Sequence, residues 1–209
     1  MNKIPESSVA PDSFSPFWQR WKAVILIACI AVFGLPLAWQ ATNLIAENRE
    51  RKVQKAFQQL GEDAEARRSF TQRYPQTRQA GVAYLQLAHE SYRSGRYTEA
   101  AEFYEAASRA LPKGPWRDRA ILGMTMAKVF LLGEGNASGF KELMQDESLM
   151  ESTRAEAAYH QAVLDWKAGD FVAARESINF INTLHFAGIA WKQKGLNLLD
   201  KIPSSFELP

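Results

Sequence analysis

The stretch SGRYTEAAEFYEAASRALP, residues 94–112, carries small and aromatic residues at spacings that indicate a tight turn followed by a helix. Gly95 can supply the positive φ that a turn between two helices requires, because glycine has no Cβ to clash there. Ala100 leaves room for another helix to approach closely, and Tyr104 fills the remaining gap. Pro112 cannot continue a helix, so the second helix ends before it. The stretch predicts the second half of a helix-turn-helix unit.

Residues before the turn complete this unit. Tyr84, Leu87 and Ala88 lie eleven, eight and seven residues ahead of Gly95. This pattern resembles the tetratricopeptide repeat. That repeat has, at these offsets, a large residue, a leucine, a small residue, a turn glycine, two aromatic residues alternating with two alanines, and a proline. Ser91 departs from the pattern, which usually has an aromatic residue at that position.

A second copy lies in residues 155–181, AEAAYHQAVLDWKAGDFVAARESINFI. The positions in register with the first copy are Ala162, Gly169, Phe171, Ala174 and Ile178. Gly95 and Gly169 are 74 positions apart, which leaves space for one intervening unit. Residues 116–146 supply two helices for it, although they match the pattern poorly.

A more degenerate unit is predicted ahead of the first clear one. Gly61 lies one 34-residue period before Gly95. Asp63 stands where the pattern, and Tyr97 in the clear repeat, has an aromatic residue. At the other end, residues 186–200 predict a terminal capping helix.

Apolar residues recur at helical spacing nearly throughout the chain, which predicts an all-α fold: one N-terminal transmembrane helix, then an α-solenoid of tetratricopeptide-like helix pairs with a C-terminal cap. The helices predicted after the membrane segment are 42–60, 63–73, 77–93, 97–110, 116–132, 138–146, 152–167, 171–182 and 186–200.

The N-terminal run AVILIACIAVFGLPLAW, Ala23 to Trp39, contains no charged residue. As a helix it is about 26 Å long, close to the roughly 30 Å of a bilayer's hydrocarbon core. Trp18 and Trp21 before it, and Trp39 at its end, suit the headgroup layers. A cleaved signal peptide is the alternative, but a long segment precedes the apolar run and Trp39 spoils the small-residue cleavage pattern. We predict an uncleaved signal anchor.

Basic residues flank both ends of the apolar run, so their number alone does not orient it. Arg20 and Lys22 adjoin its N-terminal end, which favours a cytoplasmic N-terminus and an exported C-terminal domain. The predicted segments are a flexible cytoplasmic tail in 1–21, a transmembrane signal anchor in 22–41, a tetratricopeptide-repeat-like domain in 42–202 and a C-terminal tail in 203–209.

The charge balance of 25 Lys and Arg against 23 Asp and Glu leaves no basic stripe for a phosphate backbone, so we expect no nucleic-acid partner. The one cysteine, Cys29, excludes an intrachain disulfide and a cysteine-cluster metal site.

Motifs for enzyme chemistry are missing from the sequence. The histidines His89, His160 and His185 are scattered, and no phosphate-binding Gly-Lys-Ser/Thr turn occurs. The glycines of GEGNASG, residues 133–139, do not have dinucleotide-binding spacing. We expect a non-enzymatic protein with no catalytic residue, metal, cofactor or small-molecule substrate.

The residues predicted to bind a protein partner lie on the first helix of each clear repeat, which lines the concave face of a stacked array. They are Val82, Leu85, Gln86, His89, Tyr92, Arg93, Glu156, Tyr159, His160, Val163, Trp166 and Lys167. Tyrosine and tryptophan give a large contact area at small entropic cost. The alternative is that Tyr92 and Trp166 only pack against neighbouring helices.

The order of one anchor, a helical link and three or four weak repeats is similar to the bacterial family of ancillary subunits of the Sec translocon. The local stretch FTQRYPQTRQAGVAYLQLAHESYRSGRYTEAAEFYEAA resembles that family's first clear repeat. The resemblance implies an inner-membrane protein with its repeat domain in the periplasm. Its implied partners are Sec translocon subunits, a membrane-bound periplasmic foldase or chaperone, and newly exported proteins.

A scaffold is the second hypothesis. In that case the repeat domain would tether one cell-envelope assembly, such as wall-synthesis or outer-membrane biogenesis proteins, and its surface would be selective.

Overall fold

The computed structural model describes residues 14–30, 32, 35–61, 63–133 and 138–203. These residues form ten α-helices and no strands. The helices are α1 Phe14–Cys29, α2 Leu35–Gln58, α3 Ala64–Arg73, α4 Arg78–Arg93, α5 Tyr97–Ala110, α6 Pro115–Leu132, α7 Ser138–Gln145, α8 Glu151–Lys167, α9 Phe171–Thr183 and α10 Ile189–Leu199. The all-α prediction is confirmed for the described residues, and the predicted bounds of α3 to α10 agree with the structure to within three residues.

The chain divides into two compact units, Met1–Lys52 and Val53–Pro209. The first unit contains α1 and most of α2. Exposed apolar side chains on these two helices include Val24, Leu26, Ile27, Leu37 and Trp39. Because α1 begins at Phe14, the last residues of the predicted N-terminal tail are helical. Residues 1–13 lie outside the described residues.

The predicted membrane anchor, residues 22–41, covers the end of α1 and the start of α2, and residues 31, 33 and 34 in it lie outside the described residues. Within the part of the chain that the structure describes, no helix is both long enough and apolar enough to cross a membrane. The transmembrane anchor remains a prediction from sequence.

The second unit stacks its helices in chain order. α3 packs on α4, α4 on α5, α5 on α6, α7 on α8, α8 on α9 and α9 on α10, and α10 also contacts α8. Contacts mainly between neighbours in sequence are the organisation of a helical-repeat array.

Two inter-helix turns have the same geometry. Gly95 and Gly169 have φ values of +73° and +78°. The amide of Arg96 donates to the carbonyl of Ser91, and the amide of Asp170 donates to that of Asp165, both at 2.9 Å. This hydrogen bond closes a Schellman cap around a left-handed glycine. The two glycines inferred from the repeat register therefore end α4 and α8 in the same way.

The degenerate first unit has a different start to its helix. Gly61 again has a positive φ, as the repeat period predicts. The carboxylate of Asp63 accepts hydrogen bonds from the amides of Glu65 and Ala66 and so caps α3. A capping residue thus occupies the position where the pattern has an aromatic.

Alanine builds much of the core of the second unit. The alanines with no exposed surface are Ala80, Ala83, Ala88, Ala100, Ala107, Ala120, Ala127, Ala155, Ala157, Ala158, Ala162, Ala174 and Ala187. Small side chains allow helix axes to approach to the short end of the usual 8–10 Å range. The array is held together by close backbone approach as well as by large apolar side chains.

Ser91 departs from the repeat pattern because it joins a polar network. It is buried, and its hydroxyl donates a 2.7 Å hydrogen bond to Glu99 Oε2. Arg96 donates to the same oxygen, and Arg68 donates to Glu99 Oε1, each at 2.7 Å. Hydrogen bonds from Arg96, then Ser91 and Arg68, lower the pKa of Glu99 to about 2. One carboxylate therefore connects α3, α4 and α5, where an aromatic side chain would otherwise fill space.

α5 and α6 approach each other closely where Gly123 faces the ring of Tyr104. A Cβ added to Gly123 would lie 2.5 Å from Tyr104 Cε1. Tyr104 is itself buried between the helices. The glycine therefore leaves the space that the tyrosine ring fills.

We predict that Gly123→Ala destabilises the protein by about 1–3 kcal/mol through overpacking. In an open helix the same change normally stabilises by about 1 kcal/mol. The measurement is the free energy of unfolding from urea denaturation. Gly195→Ala is the control, since a Cβ there would lie 3.3 Å from Ile178 Cγ2 and would require that side chain to shift by only a few tenths of an ångström. A Gly123→Ala variant as stable as the Gly195→Ala variant would contradict the packing described for α5 and α6.

Candidate functional site

α4, α6 and α8 are the first helices of successive helix pairs, and α6 contacts both of the others. The surface these three helices share is called the groove below. It is defined by His89 and Tyr92 on α4, Arg119, Met126 and Phe130 on α6, and Glu156, His160 and Val163 on α8.

The twelve residues predicted to bind a partner all lie on α4 and α8. Leu85 is buried in the core between α4, α5 and α6, so it supports the groove from beneath. The half-buried residues are Val82, His89, Tyr92, Glu156, Tyr159, His160, Val163 and Trp166, and the exposed ones are Gln86, Arg93 and Lys167. Eleven of the twelve therefore keep accessible surface.

Trp166 has a structural role. It packs, with Tyr159 and Val163, against a cluster that includes Leu198 of α10 and Ile202. Part of the indole thus packs against the terminal helix. This agrees with the alternative prediction that Trp166 packs against neighbouring helices.

Arg119 occupies the centre of the groove. Its Nη1 donates a 2.8 Å hydrogen bond to Glu156 Oε1 on α8. Its charge also acts on the pKa values of His89 and Tyr92 on α4. The side chain remains 44% exposed. One guanidinium therefore lies within electrostatic reach of both neighbouring helices and of solvent.

Glu156 is the carboxylate that balances this cation. Burial alone would raise the pKa of Glu156, but the neighbouring His160 and Arg119 side chains outweigh it, and the pKa lies below its usual value. His160 Nε2 is 3.9 Å from Glu156 Oε1, which is longer than a hydrogen bond. Glu156 is therefore ionised and already engaged with Arg119.

His89 is held in its neutral form. Burial, and then the charge of Arg119, lower the pKa of His89. Its ring meets the edge of Tyr104, with centroids 5.5 Å apart. Among the described residues, its Nε2 is buried without a hydrogen-bond partner. Protonation would bury a charge beside another cation, so the ring acts as packing surface at neutral pH.

Three aromatic rings meet where α4, α5 and α6 come together. Phe130 stacks on Tyr97 with centroids 5.2 Å apart and an interplanar angle of 18°. Tyr92 meets Phe130 edge-on at 5.8 Å. Phe130 nonetheless remains 59% exposed. The rings form a preorganised apolar ledge with one open face.

A cavity of about 220 Å³ lies beside this ledge. α6 lines it with Met126, Val129 and Phe130, α7 with Phe140, and α8 with His160 and Val163, among others. Phe140 stacks on His160 with centroids 5.5 Å apart. The cavity therefore has aromatic walls from three helices.

Further rings continue from His160 toward the terminal helix. Tyr159 lies 5.7 Å from Trp191 of α10, measured between centroids. Lys194 Nζ lies 3.9 Å from the centre of Trp191, in cation–π geometry. This row connects the groove to the capping helix.

Residues 16–179 match the family described as tetratricopeptide repeat-like domain. The chain belongs to this family. Comparisons with curated proteins and with solved structures gave no match. The repeat prediction is confirmed at the level of the tetratricopeptide family, whose stacked helices present concave surfaces to protein partners.

The tetratricopeptide register explains which groove residues the sequence prediction missed. Arg119 and Met126 follow Leu85 and Tyr92 by one 34-residue period, so the period alone could have identified them. They were missed because the intervening unit matches the pattern poorly. Phe140 has no such signal, because the short α7 that places it against α8 departs from a standard repeat.

Within the described ranges, no group of three His, Cys, Asp or Glu side chains is placed to hold a metal ion. A tetratricopeptide repeat-like fold is typically a protein-binding scaffold rather than a catalyst.

We predict that Arg119→Gln raises the pKa of His89, because it removes the nearby positive charge. The pKa should stay below the ordinary histidine value of about 6.5, because burial remains. The measurement is an NMR titration of the His89 Cε1–H signal. Arg93→Gln, on the last residue of α4, is the control and should cause a smaller shift. An unchanged His89 pKa in Arg119→Gln would contradict the central position of Arg119.

Proposed function

We propose that the chain is a protein-binding module whose groove receives extended segments of other proteins. The observation that supports this most strongly is the exposed Phe130, stacked on Tyr97 and adjoining an apolar cavity. A single exposed aromatic residue is ordinary on a protein surface, but a fixed ring beside an open cavity is typical of a binding site.

The groove combines the contact types that proteins use for peptide segments. The ledge of Tyr92, Tyr97 and Phe130 gives apolar area whose rings are already ordered, so binding costs little side-chain entropy. Arg119 adds a partly exposed guanidinium that can hydrogen-bond carboxylates or main-chain carbonyls. Such a surface can hold many sequences, as handling of unfolded chains requires.

For the cellular setting, we propose an inner-membrane protein with one N-terminal anchor and a periplasmic repeat domain. The support is the uncharged run from Ala23 to Trp39, the basic flank at Arg20 and Lys22, and exposed apolar side chains such as Leu26 and Leu37. The sequence resemblance favours Sec translocon subunits, a membrane-bound foldase and newly exported proteins as partners.

Site-specific photo-crosslinking tests this proposal. A photoreactive amino acid replaces Phe130 in cells of the source organism, and adducts are identified by mass spectrometry after irradiation. Because Phe130 is largely exposed, the substitution should leave the fold intact. We expect adducts with many exported proteins and with translocon or foldase subunits.

The matched control places the same amino acid at Leu196, an exposed apolar residue on α10 outside the groove. We expect few adducts there. Equal adducts at both positions would refute a binding role for the groove. One dominant adduct at position 130 with a wall-synthesis or outer-membrane assembly protein would instead make the chain a scaffold.

A further inference from the structure

The cavity beside Phe130 has the size and lining for one aromatic side chain of a bound segment. Its volume is about 220 Å³, whereas a cavity of about 150 Å³ can bind benzene. Phe130 contributes one ring, and the stacked pair Phe140 and His160 contributes two more. Aromatic rings prefer offset-stacked or edge-to-face contact with other rings, so these walls favour phenylalanine, tyrosine or tryptophan over an aliphatic residue.

Arg119 favours a segment that carries a carboxylate. Its Nη1 is hydrogen-bonded to Glu156, and the side chain is still 44% exposed. A guanidinium has five N–H donors, so Arg119 can also bind a carboxylate on a partner.

The spacing between the central cation and the cavity limits where a carboxylate would lie. Arg119 and Met126 are seven residues apart on α6, which is about 10 Å along the helix at 1.5 Å per residue. An extended chain advances about 3.3 Å per residue, so this distance corresponds to roughly three residues.

Taking the proposed binding role of the groove as given, we infer that its preferred partner is an extended acidic segment with an aromatic anchor. The segment inserts one aromatic side chain into the cavity between α6, α7 and α8. A carboxylate about three residues away pairs with the open face of the Arg119 guanidinium.

Peptide binding to the full chain, purified in a mild detergent, tests this inference by fluorescence anisotropy. The probe is the fluorescein-labelled peptide GESGFGSEG, which carries a glutamate three residues to either side of its phenylalanine and so works in either chain direction. Two comparison peptides replace the phenylalanine with alanine or both glutamates with glutamine.

We expect the alanine peptide to bind about tenfold more weakly than the probe, as for loss of a buried aromatic anchor. Phe130→Ala should remove most of the difference between these two peptides. Leu131→Ala is the matched control, because Leu131 is an exposed apolar neighbour on the same helix that does not line the cavity. It should preserve the difference.

The glutamine peptide should bind about threefold to tenfold more weakly than the probe at low salt. Arg119→Gln should remove that difference and leave the preference for phenylalanine. Equal binding of the phenylalanine and alanine peptides, or no binding of the probe at millimolar concentration, would overturn the inference. If adducts still form at position 130, the binding role of the groove survives that result. If they do not, both proposals fail.

Discussion

Close approach of helices at small residues is the constraint on which the rest of this structure depends. Where Gly123 faces Tyr104, even one methyl group would enter the tyrosine ring. Ala100 and Ala120 have no exposed surface and lie in the same core cluster. Because α5 and α6 meet so closely, the pair α4–α5 packs directly against the next pair, and α4 comes into contact with α6.

This stacking creates the groove as a consequence of packing. It brings Arg119 of α6 between His89 of α4 and Glu156 of α8, three residues that are distant in sequence. It also sets Phe130 against Tyr97 and leaves one face of the ring open. The site is therefore packed against the core on one side and accessible on the side where a partner would bind, as low-cost recognition of extended segments requires.

The sequence was sufficient for features that depend on local chemistry. Gly95 and Gly169 were identified as turns, and both have the positive φ that only glycine adopts easily. The sequence could not reveal features that depend on contacts between distant helices. Ser91 stands in place of an aromatic residue and is hydrogen-bonded to the carboxylate of Glu99 on α5. Phe140 lines the cavity because the short helix α7 places it there. A repeat pattern indicates which residue types a standard repeat has at each position. It does not indicate where a hydrogen-bond network takes the place of an aromatic side chain.

The central claim is that the groove formed by α4, α6 and α8 is the binding surface. Hydroxyl-radical footprinting of the full chain, alone and with an excess of a permanently unfolded protein, tests it at the level of side chains. Tyr92, Met126 and Phe130 are reactive residues in the groove, and Phe186, which is 82% exposed outside it, is an internal reference. We expect protection of the three groove residues with Phe186 unchanged. Protection of Phe186 alone, or no protection of the groove when a complex has formed, would contradict it.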